Sequence, residues 1–196
     1  DMFYNAKFTR PAGLIYDCFD YEQHTIKPFP IPDNWKRFVG IDFGGVNTAA
    51  LYLAQDPEGG TFYAYREYRA GHRTAKQHAA QLLKGEASKP RAFGGAKSEQ
   101  QWRNEFGSAG MPIKRPLVAD VEVGIDRGYG AISGGRLVVF DTLSNLLDEL
   151  GSYARELDDS ANPTEKIEDK NSYHLLDALR YVGSFAFRPA RKSRIR

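Results

Sequence analysis

The chain has 196 residues, 41% of them hydrophobic and 27% charged, with a formal net charge of +2. A chain of that length can bury a full core without disulfide or metal staples, and the composition is too apolar for a disordered protein. The single cysteine, Cys18, excludes an internal disulfide and suits a reducing, cytoplasmic compartment. No apolar run reaches membrane-spanning length and Asp1-Met2-Phe3-Tyr4 does not open a signal peptide, so a soluble chain with no membrane partner is expected.

Pro11-Ala12-Gly13 and Phe29-Pro30-Ile31-Pro32-Asp33 break regular structure twice before Trp35, which makes residues 1–36 an irregular lead-in or linker packed on the domain. Phe38-Val39-Gly40-Ile41 has the pattern of a buried strand ending at Asp42, and Thr48 to Ala54 follows as a second after the Gly44-Gly45 turn. Asp56-Pro57-Glu58-Gly59-Gly60 then turns the chain into an aromatic-rich third strand, Thr61 to Tyr68. Thr74 with Gln77 forms a capping-box signal for a helix to about Lys84. A short strand, Arg91-Ala92-Phe93, runs into Gly94-Gly95, and Ser98 with Gln101 gives a second capping-box signal for a helix through about Phe106. Ile113-Lys114-Arg115 is the next strand, Asp120 caps a helix to about Ile132, and Arg136 to Phe140 forms another strand after Gly134-Gly135. Leu143 to Leu157 carries apolar residues at helical spacing, and Asp158 to Asp169 is a polar loop. The final helix, opened by Asn171 or Ser172, sets Leu175, Leu176, Leu179 and Val182 on its apolar side and ends before Pro189.

Three antiparallel strands followed by strands alternating with helices imply an α/β domain over residues 37–187, a mixed sheet flanked by helices, in an order that suits an RNase H-like sheet. Residues 188–196 form a basic tail, in which Arg188, Arg191, Lys192, Arg194 and Arg196 either meet phosphates or are simply solvated.

Asp42 stands at the carboxyl end of the first strand, directly before Phe43 and two glycines that allow close approach by a backbone or a phosphate. A carboxylate there is either the cap of a turn or one ligand of a metal site, and a magnesium ion needs further oxygen ligands from elsewhere. His174 and Asp177, three residues apart, share one helical face that is not the leucine face, so they are either a solvated surface pair or partners of Asp42.

In order along the chain, Gly13-Leu14-Ile15-Tyr16, Pro28-Phe29-Pro30-Ile31-Pro32, Val39-Gly40-Ile41-Asp42-Phe43-Gly44 with Asn47, Tyr65-Arg66-Glu67-Tyr68, Gly124-Ile125-Asp126-Arg127 and Tyr173-His174-Leu175-Leu176-Asp177-Ala178-Leu179-Arg180-Tyr181 resemble the nuclease domain of large terminases of tailed phages and prophages. The resemblance implies an RNase H-like endonuclease that cleaves concatemeric double-stranded DNA during genome packaging in the bacterial cytoplasm, using two divalent cations, Mg2+ or Mn2+. It implies as partners a terminase ATPase domain in the same polypeptide, the portal and the small terminase subunit. Asp42 takes the place of the family's first acid, and His174 and Asp177 those of the helix-borne ligands.

The chain departs from that pattern in two places. Phe93-Gly94-Gly95 lies where many members have an acid at a strand end, and Tyr173 where many have Asp before the helix histidine. Glu99 ranks first to supply the missing carboxylate, with Glu67 and Asp169 behind it, although Glu99 also fits as a first-turn acid beside the helix dipole. Lys97, Arg103, Lys114, Arg115 and Arg127 are the candidate phosphate contacts. Tyr63, Tyr65 and Tyr68 suit sheet packing better than base stacking.

Two rival readings carry different functions. Gly40 to Thr48 also resembles the first phosphate loop of actin-like ATPases and sugar kinases, which need a second lobe and a second loop. The other rival is an RNase H-like module that lost its metals and only binds DNA or a packaging protein, favoured by the absent acid at Gly95.

Overall fold

A computed structural model describes residues 10–189, so four of the five tail cations, Arg191, Lys192, Arg194 and Arg196, lie outside the described residues. The chain builds a seven-stranded sheet in the order β1-β7-β4-β3-β2-β5-β6. Its centre is an antiparallel meander of β2 (Lys36–Asp42), β3 (Asn47–Gln55) and β4 (Phe62–Gly71). Strand β5 (Arg91–Gly94) adds parallel to β2, β6 (Ile113–Lys114) parallel to β5, and β7 (Leu137–Phe140) parallel to β4. Every β2 residue after Lys36 is buried, which is why this strand appears in the sequence as an unbroken apolar run: both of its faces are covered.

Helices α2 (Ala75–Leu83) and α3 (Gln100–Ser108) cover one face, and α4 (Val121–Ser133), α5 (Ser144–Ser152) and α6 (His174–Ala186) the other. Strand alternation sorts β2 between them. Val39, Ile41 and Phe43 join the α2–α3 core, whereas Phe38 joins the core of α6. Gly40 has the same parity as Phe38 and meets α6 directly, since a Cβ placed on it would stand 1.9 Å from the Ala178 carbonyl oxygen. Asp42, two residues on, therefore points to the start of α6.

Two of the expected caps form. Thr74 and Gln77 make both hydrogen bonds of the capping box, and the Asp120 carboxylate accepts from the Val123 amide at 2.9 Å. The Ser98–Gln101 capping box does not form: Glu99 is the N-cap of α3, and its carboxylate instead folds back to accept from the Ala96 amide at 2.6 Å.

The lead-in is not irregular throughout. It holds a one-turn helix, α1 (Tyr21–His24), and β1 (Thr25–Ile26), which extends the sheet parallel to β7. Its Tyr16 is 1% exposed and stacks on Tyr153 at 5.9 Å. The same segment shortens α5, expected to run to Leu157. The Ile15 amide takes the Tyr153 carbonyl and the Arg155 amide takes the Gly13 carbonyl, so residues after Ser152 are drawn into extended pairing. There β8 (Arg155–Leu157), within the stretch expected to be helix, forms a hairpin with β9 (Pro163–Ile167), inside what the sequence marks as a loop. The final helix starts two to three residues later than expected, after a 3-10 turn at Lys170–Ser172.

Gly40→Ala is expected to lower stability by about 3 kcal/mol or more, beyond ordinary overpacking, because the obstructing atom is helix backbone and cannot rotate away. Chemical denaturation measures it, and an unchanged midpoint would refute the close approach of α6 to β2.

Candidate metal centre

Strands β2, β5 and β6 run parallel side by side, with Ile41 in register with Gly94 and Phe93 with Lys114, so their carboxyl ends share one edge of the sheet. Open α/β sheets present ligand sites at that edge. Asp42 ends β2 there, and the first turn of α6 lies over it. His174 Nδ1 meets Asp42 Oδ2 at 2.8 Å, with the two side chains 27% and 13% exposed. Burial pushes the Asp42 carboxyl up to about 6, the Asp177 charge pushes the same way, His174 pulls it down, and Glu99 adds a weaker upward push. The Asp177 and Glu99 carboxylates thus both act on Asp42, and the His174 imidazole opposes them.

Asp177 Oδ1 accepts from Arg180 Nη2 at 2.9 Å, one turn further along α6. Arg180 is itself buried, and Gly124 of α4 makes the room: a Cβ there would lie 2.3 Å from Arg180 Cγ. The donors suit a hard divalent cation, being carboxylate oxygens with one imidazole nitrogen. Among the described residues no three His, Cys, Asp or Glu side chains already converge as a cage.

No protein-family model matches the sequence, nor does any curated protein. Solved structures do. The nuclease domain of the P22 large terminase superposes with a TM-score of 0.71 at 26% identity, over 88% of this chain and 92% of that one. The chain has the fold of a large-terminase nuclease domain. The large terminase of a thermophilic bacteriophage, in complex with ADP, matches 90% of this chain at 22% identity and a TM-score of 0.76, but only 46% of its own length is covered. The nuclease domain of the SPP1 large terminase with bound Mn matches 75% of this chain and 84% of that one, at 21% identity and a TM-score of 0.60.

On this terminase nuclease fold the other anticipated residues separate. Glu99 is half-buried, close enough to act on Asp42, yet tied to its own loop through Ala96. Glu67 is no ligand candidate here: its carboxylate caps α5, accepting from the Asn145 and Leu146 amides at 3.1 and 2.9 Å and from the Asn145 side chain at 2.8 Å. Asp169 stands exposed before the 3-10 turn. Arg103 is not a phosphate contact, because it is 4% exposed and donates to the Gly94 and Ala96 carbonyls, both at 3.0 Å. Arg127 donates to the Ser184 carbonyl at 2.8 Å and ties α4 to the far end of α6, away from the site. Lys97, Lys114 and Arg115 are exposed near the sheet edge, Arg115 leaning on Gln100.

Tyr63, Tyr65 and Tyr68 do pack: Tyr63 against Phe29 and Trp35, Tyr65 onto Glu86 and Tyr68 onto His78. The phosphate-loop rival finds no second lobe among the described residues, and Gly44 is needed to close the turn, since a Cβ there would lie 2.0 Å from the Asn47 carbonyl oxygen.

Two residues escaped the sequence reading. Glu149 of α5 is 7% exposed, and Arg69 of β4 lies in the same cross-strand row as Asp42 through Ala49. The signal for Glu149 was present: it sits three residues from Leu146 and one from Leu150, on the apolar side of its helix.

Gly95 has φ +77, and a Cβ there would lie 2.6 Å from the Phe43 ring and 2.8 Å from Arg103 Nη1. Gly95→Asp is therefore expected to cost about 2 kcal/mol or more in strain and overpacking rather than restore an acid. Thermal melting checks it; a variant as stable as the wild type would show that the position can take a carboxylate.

Proposed function

We propose that this chain is a divalent-metal-dependent endonuclease domain that cleaves double-stranded DNA during phage genome packaging. The observation that carries the reading is Asp42, buried at the end of β2 under an α6 turn that brings His174 to 2.8 Å and Asp177 into its field, on a fold shared with the P22 nuclease domain. Asp42 and Asp177 would hold Mg2+ or Mn2+ through oxygen and His174 through nitrogen, with Glu99 as the candidate for any second ion. The ion's contribution is Lewis-acid chemistry, stabilising charge on the phosphodiester and easing loss of a proton from water. His174 and Arg180 would keep the two aspartates oriented until then.

DNA would approach over Lys97, Lys114 and Arg115, with Arg69 on the opposite side of Asp42, neutralising backbone phosphates independently of sequence. A longer polypeptide carrying an ATPase domain is supported by the thermophilic phage terminase, which holds ADP and is about twice the length of the part matched here. Assembly with a portal and a small subunit in the host cytoplasm belongs to the same proposal; no described helix is long and apolar enough to cross a membrane. The exclusion of an acid at Gly95 favours a second reading, a metal-free binding module.

Plasmid incubated with the protein and Mn2+ or Mg2+ should be nicked and then linearised, and a chelator should stop it. Asp42→Asn and Asp177→Asn should fold but lose more rate than the about 10–100-fold typical of an outer-shell partner. His174→Ala should be milder or shift the metal preference. Glu99→Gln with a loss like that of Asp42→Asn would assign it the missing ligand role. Full activity in folded Asp42→Asn, or no cleavage with any divalent ion, would replace the nuclease by the binding module.

A further inference from the structure

The first amides of a helix need acceptors from outside it, yet Tyr173 at the N-cap of α6 offers no side-chain hydrogen bond. Glu149 offers both of its oxygens from the neighbouring helix. Oε1 accepts from the Leu175 amide at 3.3 Å and Oε2 from the Leu176 amide at 2.9 Å. Burial raises this carboxyl to about 7, and the two amides, Arg69 and His174 oppose the rise.

The capped amides directly follow His174 in the turn that carries the site. A carboxylate gripping two successive amides sets both the rotation and the height of that turn, and so sets where His174 and Asp177 stand above Asp42. Helix α5 is itself fixed to the sheet at its other end, where Glu67 of β4 caps it. The sheet therefore controls α6 twice, once through Gly40 and once through Glu67, α5 and Glu149.

We propose that Glu149 is a positioning residue of the candidate metal centre, a cap supplied by α5 that aims the His174–Asp177 turn at Asp42. Its consequence for metal and cleavage rests on the nuclease reading; its consequence for the His174–Asp42 contact does not.

The experiment compares the wild type with Glu149→Gln, which keeps the shape and one acceptor oxygen, and Glu149→Ala, which removes both. In metal-free, nitrogen-15-labelled protein the imidazole of His174, identified by the His174→Ala variant, reports its hydrogen bond to Asp42. The wild type should show Nδ1 protonated and held, Glu149→Ala should move to the exchanging tautomers of a free imidazole, and Glu149→Gln should fall between. Calorimetric titration with Mn2+ should show affinity reduced about tenfold or more in Glu149→Ala, with kcat for plasmid nicking lowered and KM for DNA unchanged. A cap that only stabilises would lower the melting temperature and leave the imidazole signals and Mn2+ affinity alone, and that result overturns the proposal. If Glu149→Ala does not fold, Glu149→Gln decides. If the wild type neither binds Mn2+ nor cleaves, the nuclease reading falls and the imidazole signals still decide the role of Glu149.

Discussion

The contact between Gly40 and the Ala178 carbonyl sets the position of everything that matters at the sheet edge. With no side chain at Gly40, α6 settles onto β2 at backbone distance, and its apolar residues Leu175, Leu179 and Val182 fill the core on that face. Parity along β2 then points Asp42 to the same helix two residues later, where α6 begins. A helix held one side chain further away would leave His174 short of Asp42.

That seam also concentrates buried charge, and each charge is answered within the protein. Asp42 has His174, Asp177 has Arg180, and Glu149 has the first amides of α6. Unanswered, a buried carboxylate would titrate to its neutral form; Asp42 and Glu149, lifted to about 6 and about 7, show how near the balance lies. Arg180 pays for its place with an unpartnered Nε, while Gly124 admits its stem. A cation beside Asp42 would relieve the repulsion that Asp177 exerts on it.

The strands of the meander and Asp42 at the end of β2 could be read from the sequence because their signals are local: apolar runs, glycine turns, a carboxylate before glycines. The same holds for Thr74 and Asp120 as caps, and for His174 and Asp177 on a face apart from the leucines. What escaped depended on partners distant in sequence. Two-residue β1 has no periodicity of its own and exists through β7. The α5 helix stops at Ser152 because the Gly13–Ile15 segment claims the backbone beyond it. Arg103 looks like any surface cation until the Gly94 and Ala96 carbonyls close around it, and the roles of Glu67 and Glu149 show only once the helix ends they cap are in place.

The two sides of the sheet edge differ in sign for a steric reason. On the β2 side, Asp42 and Asp177 gather negative charge. On the β5 side the left-handed Gly95 lies against Phe43 and the Arg103 guanidinium, so no side chain fits where a carboxylate would mirror Asp42. Lys97, Lys114 and Arg115 stand exposed beyond it. A polyanion laid across this edge is attracted by Lys97, Lys114 and Arg115 and repelled by the Asp42 and Asp177 carboxylates, a repulsion that a bound divalent cation would reverse. On the nuclease reading, phosphate approach to Asp42 therefore depends on metal loading, and the glycines at the end of β5 help make it so by keeping a carboxylate off that strand end.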